Sequence, residues 1–383
     1  MHIYDYIIIG SGLTGLTIAK KISQETDNLL VLEASDQIGG DNRNVKISDQ
    51  VVNNGLRFMP ATEASQKAVS FLEDLLKEEI IGQKIENLVE TYEASGFKKF
   101  VGFGEKSPDF YEQLSYFLQQ YEFPLKLQPY EWTGKLAQSL EGKIQRRSIV
   151  TKFGFEGLDS EKPKLTHVVV NGTKTIYASN FIYAGPVKDL QFLIPDDVFS
   201  ARAKAKLKKS KSCQAVCVDL AHSHIIEKTN LHLLNGTTDD DIGPCVGRFI
   251  EKPAGAELQV SQWLSFMDSE SAEDTENIGL VLKKIKRQIK RAYPEVGDSI
   301  KRERIFVSPS LSGADLKLNS NLTFPKVDNL WIASSQGGRF QNLLSSIMQA
   351  RLALSSLGFI ESLVEPSVAE EDINPHFESS NQI

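Results

Sequence analysis

Tyr6-Ile7-Ile8-Ile9 leads into Gly10-Ser11-Gly12-Leu13-Thr14-Gly15, then into Leu16, Ile18, Ala19 and Ile22 at helical spacing, and then into Leu29-Leu30-Val31-Leu32-Glu33. The two short apolar runs read as strands of a parallel sheet covered on both faces. With the helix between them they form a βαβ unit. Each glycine has a task. Gly10 makes the tight turn out of the strand, Gly12 lets the backbone approach a pyrophosphate, and Gly15 lets the helix pack close to the sheet. The helix start, with Ser11, Leu13 and Thr14 around it, presents free N–H groups and a positive dipole end to phosphate. Glu33 ends the second strand, where a carboxylate accepts hydrogen bonds from ribose hydroxyls and repels a 2′-phosphate, so NADP is disfavoured. Strand before, helix after and an acid about 20 residues on distinguish a dinucleotide site from a mere glycine turn. Gly102-Phe103-Gly104 lacks the third glycine and the βαβ setting, so no second nucleotide domain is expected.

Further along, residues 61–79 read as an amphipathic helix with Ala68, Val69, Phe71, Leu72 and Leu75 on its apolar stripe. Ser107-Pro108 is expected to open another helix and 133–140 to form a shorter one. Strands are expected over 144–153, 165–170 and 180–184, and in most of 212–267. A helix over 274–293 is stopped by Pro294. Then come a buried strand at 330–333 and a last helix over 340–357, with Gly358 suited to its C-cap. The acidic, polar tail 366–383 is expected to be disordered.

The chain has 383 residues, 41% hydrophobic and 24% charged, which suits a globular protein with two interleaved domains. Its net charge of -7 argues against nucleic acid as a partner. Basic runs at Arg202–Lys211 and Lys283–Arg291 read as solvated helix faces. Three sparse cysteines (Cys213, Cys217 and Cys245) suggest reduced thiols and a cytoplasmic setting, and no signal peptide or membrane-spanning run is read. The six histidines form no metal-ligand spacing with carboxylates or cysteines. His222 and His224 are the pair that share a strand face. Trp263 reads as sheet packing. Arg57 and Arg339 are candidates for an anionic substrate, although surface solvation is the plainer reading for each.

Leu32-Glu33-Ala34 followed by Gly39-Gly40 resembles the second signature of the FAD-dependent amine oxidase / protoporphyrinogen oxidase superfamily. That family often carries an arginine beside the doublet; here Asp41 stands there and Arg43 lies two residues on. Asn54-Gly55 resembles the segment that crosses near the flavin, and Val150 the valine whose backbone holds the adenine. Phe181-Ile182-Tyr183-Ala184-Gly185-Pro186 resembles the strand returning to the cofactor domain. Relatives follow their late strand with a glycine and an acid; Ser334 and Ser335 occupy those places. Asn342 and Leu343 match the start of the family's last helix, which aims its N-terminus at the flavin. Gly337-Gly338-Arg339-Phe340 is also similar to a glycine-arginine stretch of UDP-galactopyranose mutases.

The resemblance implies an α/β fold, with a Rossmann-type FAD-binding domain built from residues 1–60, 130–200 and 300–365. A mixed α+β substrate domain is inserted as residues 61–129 and 201–299. It implies non-covalent FAD held by Gly10, Ser11, Gly12, Leu13, Thr14, Gly15, Glu33, Ala34, Gly39, Gly40, Arg43, Val150, Ser335, Asn342 and Leu343, and an oxidoreductase acting on a small molecule. A mutase-like flavin isomerase and a non-catalytic protein on the same fold are the alternatives. Catalytic residues, substrate and oligomeric state are not legible.

Overall fold

A computed structural model describes residues 2–361 and 363, apart from 94–95, 105–106, 236–243, 310, 312–315 and 338–339. The tail 366–383, Gly338 and Arg339 therefore lie outside the described residues.

β1 (Ile3–Ile9), α1 (Leu13–Ile22) and β2 (Leu29–Leu32) form the expected unit, with β1 and β2 parallel and Ile9 opposite Leu32. Ile8 and Val31 face α1, α2 (Glu63–Leu76), α4 (Pro129–Gln138) and α7 (Leu343–Ser356). Ile7, Ile9, Leu30 and Leu32 face the other way, onto Phe153, Leu165 and Val168. Both faces are covered, which is why these strands are apolar throughout instead of alternating. The sheet runs β4 (Val150–Glu156), β5 (Lys164–Val170), β6 (Lys174–Tyr183), β1, β2, β3 (Ile144–Gln145). One edge of β6 serves two partners: its first residues pair antiparallel with β5, and Phe181–Tyr183 pair parallel with β12 (Val327–Ile332).

The second sheet is ordered β11 (Ile300–Val307), β7 (Cys213–His222), β10 (Gln259–Asp268), β9 (Cys245–Phe249), β8 (Leu231–Leu234), then the hairpin Glu90–Glu93/Gly96–Lys99. One face carries Val216, Val218, Leu220 and Trp263 against Val281, Ile285 and Ile289 of α6 (Thr275–Ala292). The opposite face carries Ala215, Cys217, Leu264 and Phe266 against Leu56, Phe58 and Phe117, the last from α3 (Tyr111–Phe117). The basic α5 (Ala201–Lys208) lies between the two sheets in sequence and buries Leu207.

Several boundaries differ from expectation. The single strand expected over 144–153 is two: β3 pairs parallel with β2, the chain turns at Arg147 in a left-handed conformation, and β4 pairs antiparallel with β5. α3 opens at Tyr111 and not at Pro108, because Phe110 is left-handed just before it. α4 starts at Pro129, four residues early, under a capping box made by Gln128 and Glu131. α7 starts at Leu343 and not at 340, since Asn342 is its N-cap. The domain division shifts too. α2, expected with the substrate domain, buries Ala68, Val69, Leu72 and Leu75 in the cluster that holds α1 and α7. β11, expected with the cofactor domain, is an edge strand of the second sheet, paired antiparallel with β7.

A buried histidine behind the second sheet makes stability depend on pH. His232 is 0% exposed and bonds through Nε2 to the Tyr293 hydroxyl, among Phe97, Phe249 and Trp263. Burial, and then Arg248 and Lys228, push its pKa down to about 4. The unfolded chain then binds more protons between pH 4 and 6.5, so stability present above 6.5 is lost as pH falls through that window. Urea midpoints should show about 2 kcal/mol less stability from this group at pH 5 than at pH 7. His232→Phe should remove that part of the slope, whatever it costs at neutral pH.

Candidate dinucleotide and substrate site

A cavity of about 520 Å³ opens at the C-terminal ends of β1, β2 and β6, where Ile9, Leu32 and Tyr183 meet the turns after them. This is the place where open α/β sheets bind ligands. Gly10, Gly12, Leu13, Thr14, Glu33, Ala34, Gly40, Val150 and Ser335 all line it. A Cβ on Gly12 would meet nothing within 4 Å, so the backbone there faces open space. The first helical bond of α1 runs from Leu16 N to Gly12 O at 3.0 Å, so the amides of residues 13–15 precede the intrahelical ladder.

Four expected cofactor residues shape this wall without lining it. Ser11 donates from its N–H (2.9 Å) and its hydroxyl (2.6 Å) to Glu33 Oε2, while Ser35 N–H donates to Oε1 (2.8 Å). These bonds fix the carboxylate at the wall and fill both lone pairs of Oε2, while Oε1 keeps acceptor capacity. Gly39 N–H donates to Ser11 O (2.9 Å), which lays the glycine doublet against the phosphate turn. Gly15 packs against Gly10. Arg43 reaches only the Gly40 carbonyl, at 3.4 Å. Thr14 has a second tie: its hydroxyl donates to Ser346 O of α7 (2.9 Å), joining the two helices that end at the cavity.

At the far end, beside Val150 and Pro186, Ile149 is 53% exposed and Phe192 74% exposed. Uncovered apolar side chains on a cavity wall suit a flat base. Neither was found by sequence reading, because Phe192 sits on a four-residue helix with no motif around it. Among the described residues three carboxylates line the cavity (Glu33, Asp41 and Asp189) and no basic side chain does. Burial raises the pKa of Asp41 and of Asp189; Arg57, Arg43 and the bond from Gln341 oppose it at Asp41. The positive ends available to an anion here are the backbone N–H groups and the α1 dipole.

A second cavity of about 90 Å³ adjoins the first and shares Asp41, Asn42, Pro309, Gln341 and Ser346 with it. Its walls are Leu56, Phe58, Tyr116, Phe266, Phe306 and Phe340, and among the described residues Arg57 is its basic side chain. Arg57 is not solvated at the surface as the plainer reading had it. Its Nε donates to Asn42 Oδ1 (3.0 Å), Nη1 to Leu56 O (3.1 Å) and Nη2 to Asp41 O. Nη1 and Nη2 each carry one further N–H. Asn342 and Leu343 line this smaller cavity and not the larger one. Asn342 and Ser345 cap α7 reciprocally, at 2.8 and 2.9 Å. Cys217 also faces in, but burial and then Asp219 push its thiol up to about 12, so it is protonated at neutral pH. His222 and His224 line neither cavity, and Trp263 lies on the opposite face of the sheet. Among the described residues no group of three or more His, Cys, Asp or Glu side chains could hold a metal ion.

The fold is α/β, with a Rossmann-type parallel sheet and a second sheet beside it. Residues 8–75 match the NAD(P)-binding Rossmann-like domain family. The horse flavin-containing amine oxidase A (Equus caballus) is 46% identical over 39 residues, which is 10% of this chain and 7% of that enzyme. An oxidoreductase from Methanosarcina mazei superimposes with a TM-score of 0.68 at 12% identity, covering 91% of this chain and 99% of the other. A redesigned putrescine oxidase superimposes with a TM-score of 0.63 at 12% identity, covering 92% and 99%. The chain thus shares its fold with these oxidoreductases, the fold its motifs led one to expect. No helix among the described residues is long and apolar enough to cross a membrane.

Proposed function

We propose that the chain is an FAD-dependent oxidoreductase that holds its flavin non-covalently and oxidises a small organic substrate. The observation that carries this reading is the alignment of the two cavities. The larger one is lined by the uncovered Phe192 and Ile149, by Glu33 and by the α1 start, and it adjoins the smaller aromatic one at the start of α7. That order suits adenine, ribose, pyrophosphate and flavin ring in turn. A bound flavin supplies a hydride acceptor for a C–H beside a C–N or C–C bond.

The chain's own residues have three tasks. Gly12 and the first turn of α1 take the pyrophosphate. Phe58, Tyr116, Phe266, Phe306 and Phe340 exclude water from the reacting end. Arg57 offers guanidinium N–H groups to an acidic or carbonyl-bearing substrate. Asp41 stands where an arginine would assist the phosphates, so Asp41→Asn should tighten FAD about five-fold, the effect of roughly 1 kcal/mol of relieved repulsion. Flavin fluorescence quenching on titration of apo-protein reads this, and weaker binding by the variant would remove Asp41 from the phosphate field. The functional test is a screen of small amines and amino acids for bleaching of bound flavin. Bleaching supports the oxidase reading, whereas activity seen only after prior flavin reduction, with no net oxidation, would favour an isomerase.

A further inference from the structure

Two rows of side chains share the cavity face of the second sheet. In the first row Phe306, Cys217 and Leu264 are direct cross-strand partners, and all three line the smaller cavity. Two residues along lies a polar row, also in direct register: Arg304, Asp219 and Gln262. A polar triplet in a sheet core needs a reason, since burying charge is costly unless it is paired. Asp219 is fully buried and is bound from both sides, by Arg304 Nη1 at 2.8 Å and Gln262 Nε2 at 3.1 Å.

The outward reach of this row gives the reason. Arg304 Nη2 donates to Asn54 Oδ1, and Gln262 Nε2 donates to Asn53 O at 2.9 Å. Both targets lie on the segment that crosses between the two sheets and carries Asn54, Leu56 and Arg57 into the smaller cavity. The segment is pressed onto the sheet at Gly55, whose backbone is left-handed; a Cβ there would lie 3.0 Å from the Phe306 ring and 3.8 Å from the Cys217 sulfur. The Arg304 guanidinium itself lies 4.0 Å over the Phe306 ring, a wall of the cavity.

We propose that Arg304, Asp219 and Gln262 form a clamp that sets where Asn54 and Arg57 stand against the reacting end of the flavin. They are positioning residues. None lines either cavity, so the clamp acts on the electrostatics of the reacting end and not on cofactor retention. The inference rests on the proposed flavin function.

The test is the midpoint potential of the bound flavin, measured by dithionite titration of the full-length holoprotein. Arg304→Met strands the buried Asp219 carboxylate, so the paired variant Arg304→Met/Asp219→Asn is measured beside it. Both should retain flavin at the wild-type ratio. Both should lower the midpoint, because the segment that carries Arg57 loses its anchor at Asn54. The expected size is about a ten-fold change in the oxidised-to-reduced ratio at fixed potential, about 30 mV for a two-electron couple. Arg304→Lys, which keeps one donor to Asn54, should recover part of the shift. A paired variant that holds flavin at the wild-type midpoint overturns the clamp. A wild-type chain that takes up no flavin sinks the proposed function and the clamp with it.

Discussion

Gly12→Val is expected to give a folded protein with no flavin. The position faces open space, and an added Cβ meets no atom within 4 Å, so nothing in the fold resists it. The thermal midpoint should stay within about 2 °C of the apo wild type, as for a substitution that meets no packing cost. The branched side chain would instead fill the volume that a pyrophosphate must enter next to the first turn of α1. Retention of FAD should fall more than about 100-fold, which corresponds to roughly 3 kcal/mol. Few substitutions separate binding from folding so cleanly, because most cofactor-site residues also hold the domain together. If Gly12→Val keeps wild-type flavin affinity, the phosphates do not pass this turn.

Gly15→Ala is the opposite case. Its Cβ would lie 2.0 Å from the Gly10 carbonyl oxygen, a rigid backbone atom at the end of β1. α1 must then lift away from the sheet, which disturbs the Thr14 bond to Ser346 and the buried contacts of Leu16 and Ile18. Overpacking costs typically 1–3 kcal/mol, and a backbone clash sits at about the top of that range. A drop of about 5–10 °C in the thermal midpoint, together with loss of flavin, is the expected result by differential scanning fluorimetry. Wild-type stability in this variant would mean that the close approach of helix and strand is not needed.

These two glycines show how far the sequence could be read. The turn built by Gly10, Gly12 and Gly15, with Glu33 beside it, was legible because its geometry is local, and local geometry leaves a local pattern. Glu33 and Ser11 are 22 residues apart yet share a hydrogen bond, since the βαβ unit brings strand ends together. Phe192 and Ile149 carried no such pattern; only the packed structure shows that nothing covers them. The clamp was invisible for a related reason. Asp219, Gln262 and Arg304 lie on three strands far apart in the chain, and each looks like an ordinary polar residue until the register aligns them. The places of α2 and β11 were harder to read. The stripe of α2 fits either core equally well by sequence, and Ile300–Val307 carries four charged residues that hide an edge strand.

The departures from the family's charge pattern converge on one place. Asp41 stands beside the glycine doublet, Ser334 and Ser335 stand in place of the late glycine and acid, and among the described residues no basic side chain lines the larger cavity. Ser334 is buried and its hydroxyl accepts from Gln336 N–H at 3.3 Å, while Gln336 accepts from Val187 N–H at 2.8 Å. This late loop is thus built to brace the cavity wall by neutral hydrogen bonds. On the proposed function, FAD affinity comes mainly from the α1 amides, Glu33 and the apolar far end.

The central claim is that this cavity holds FAD without a covalent bond. Its most direct test is the visible absorption spectrum of the purified full-length protein, after incubation with FAD and gel filtration, then again on the supernatant after heat denaturation. The account predicts a flavin spectrum that travels with the protein and appears free in solution after heating. A protein that stays colourless after exposure to FAD, while folded by circular dichroism, would contradict it and leave a flavoprotein fold used for another purpose.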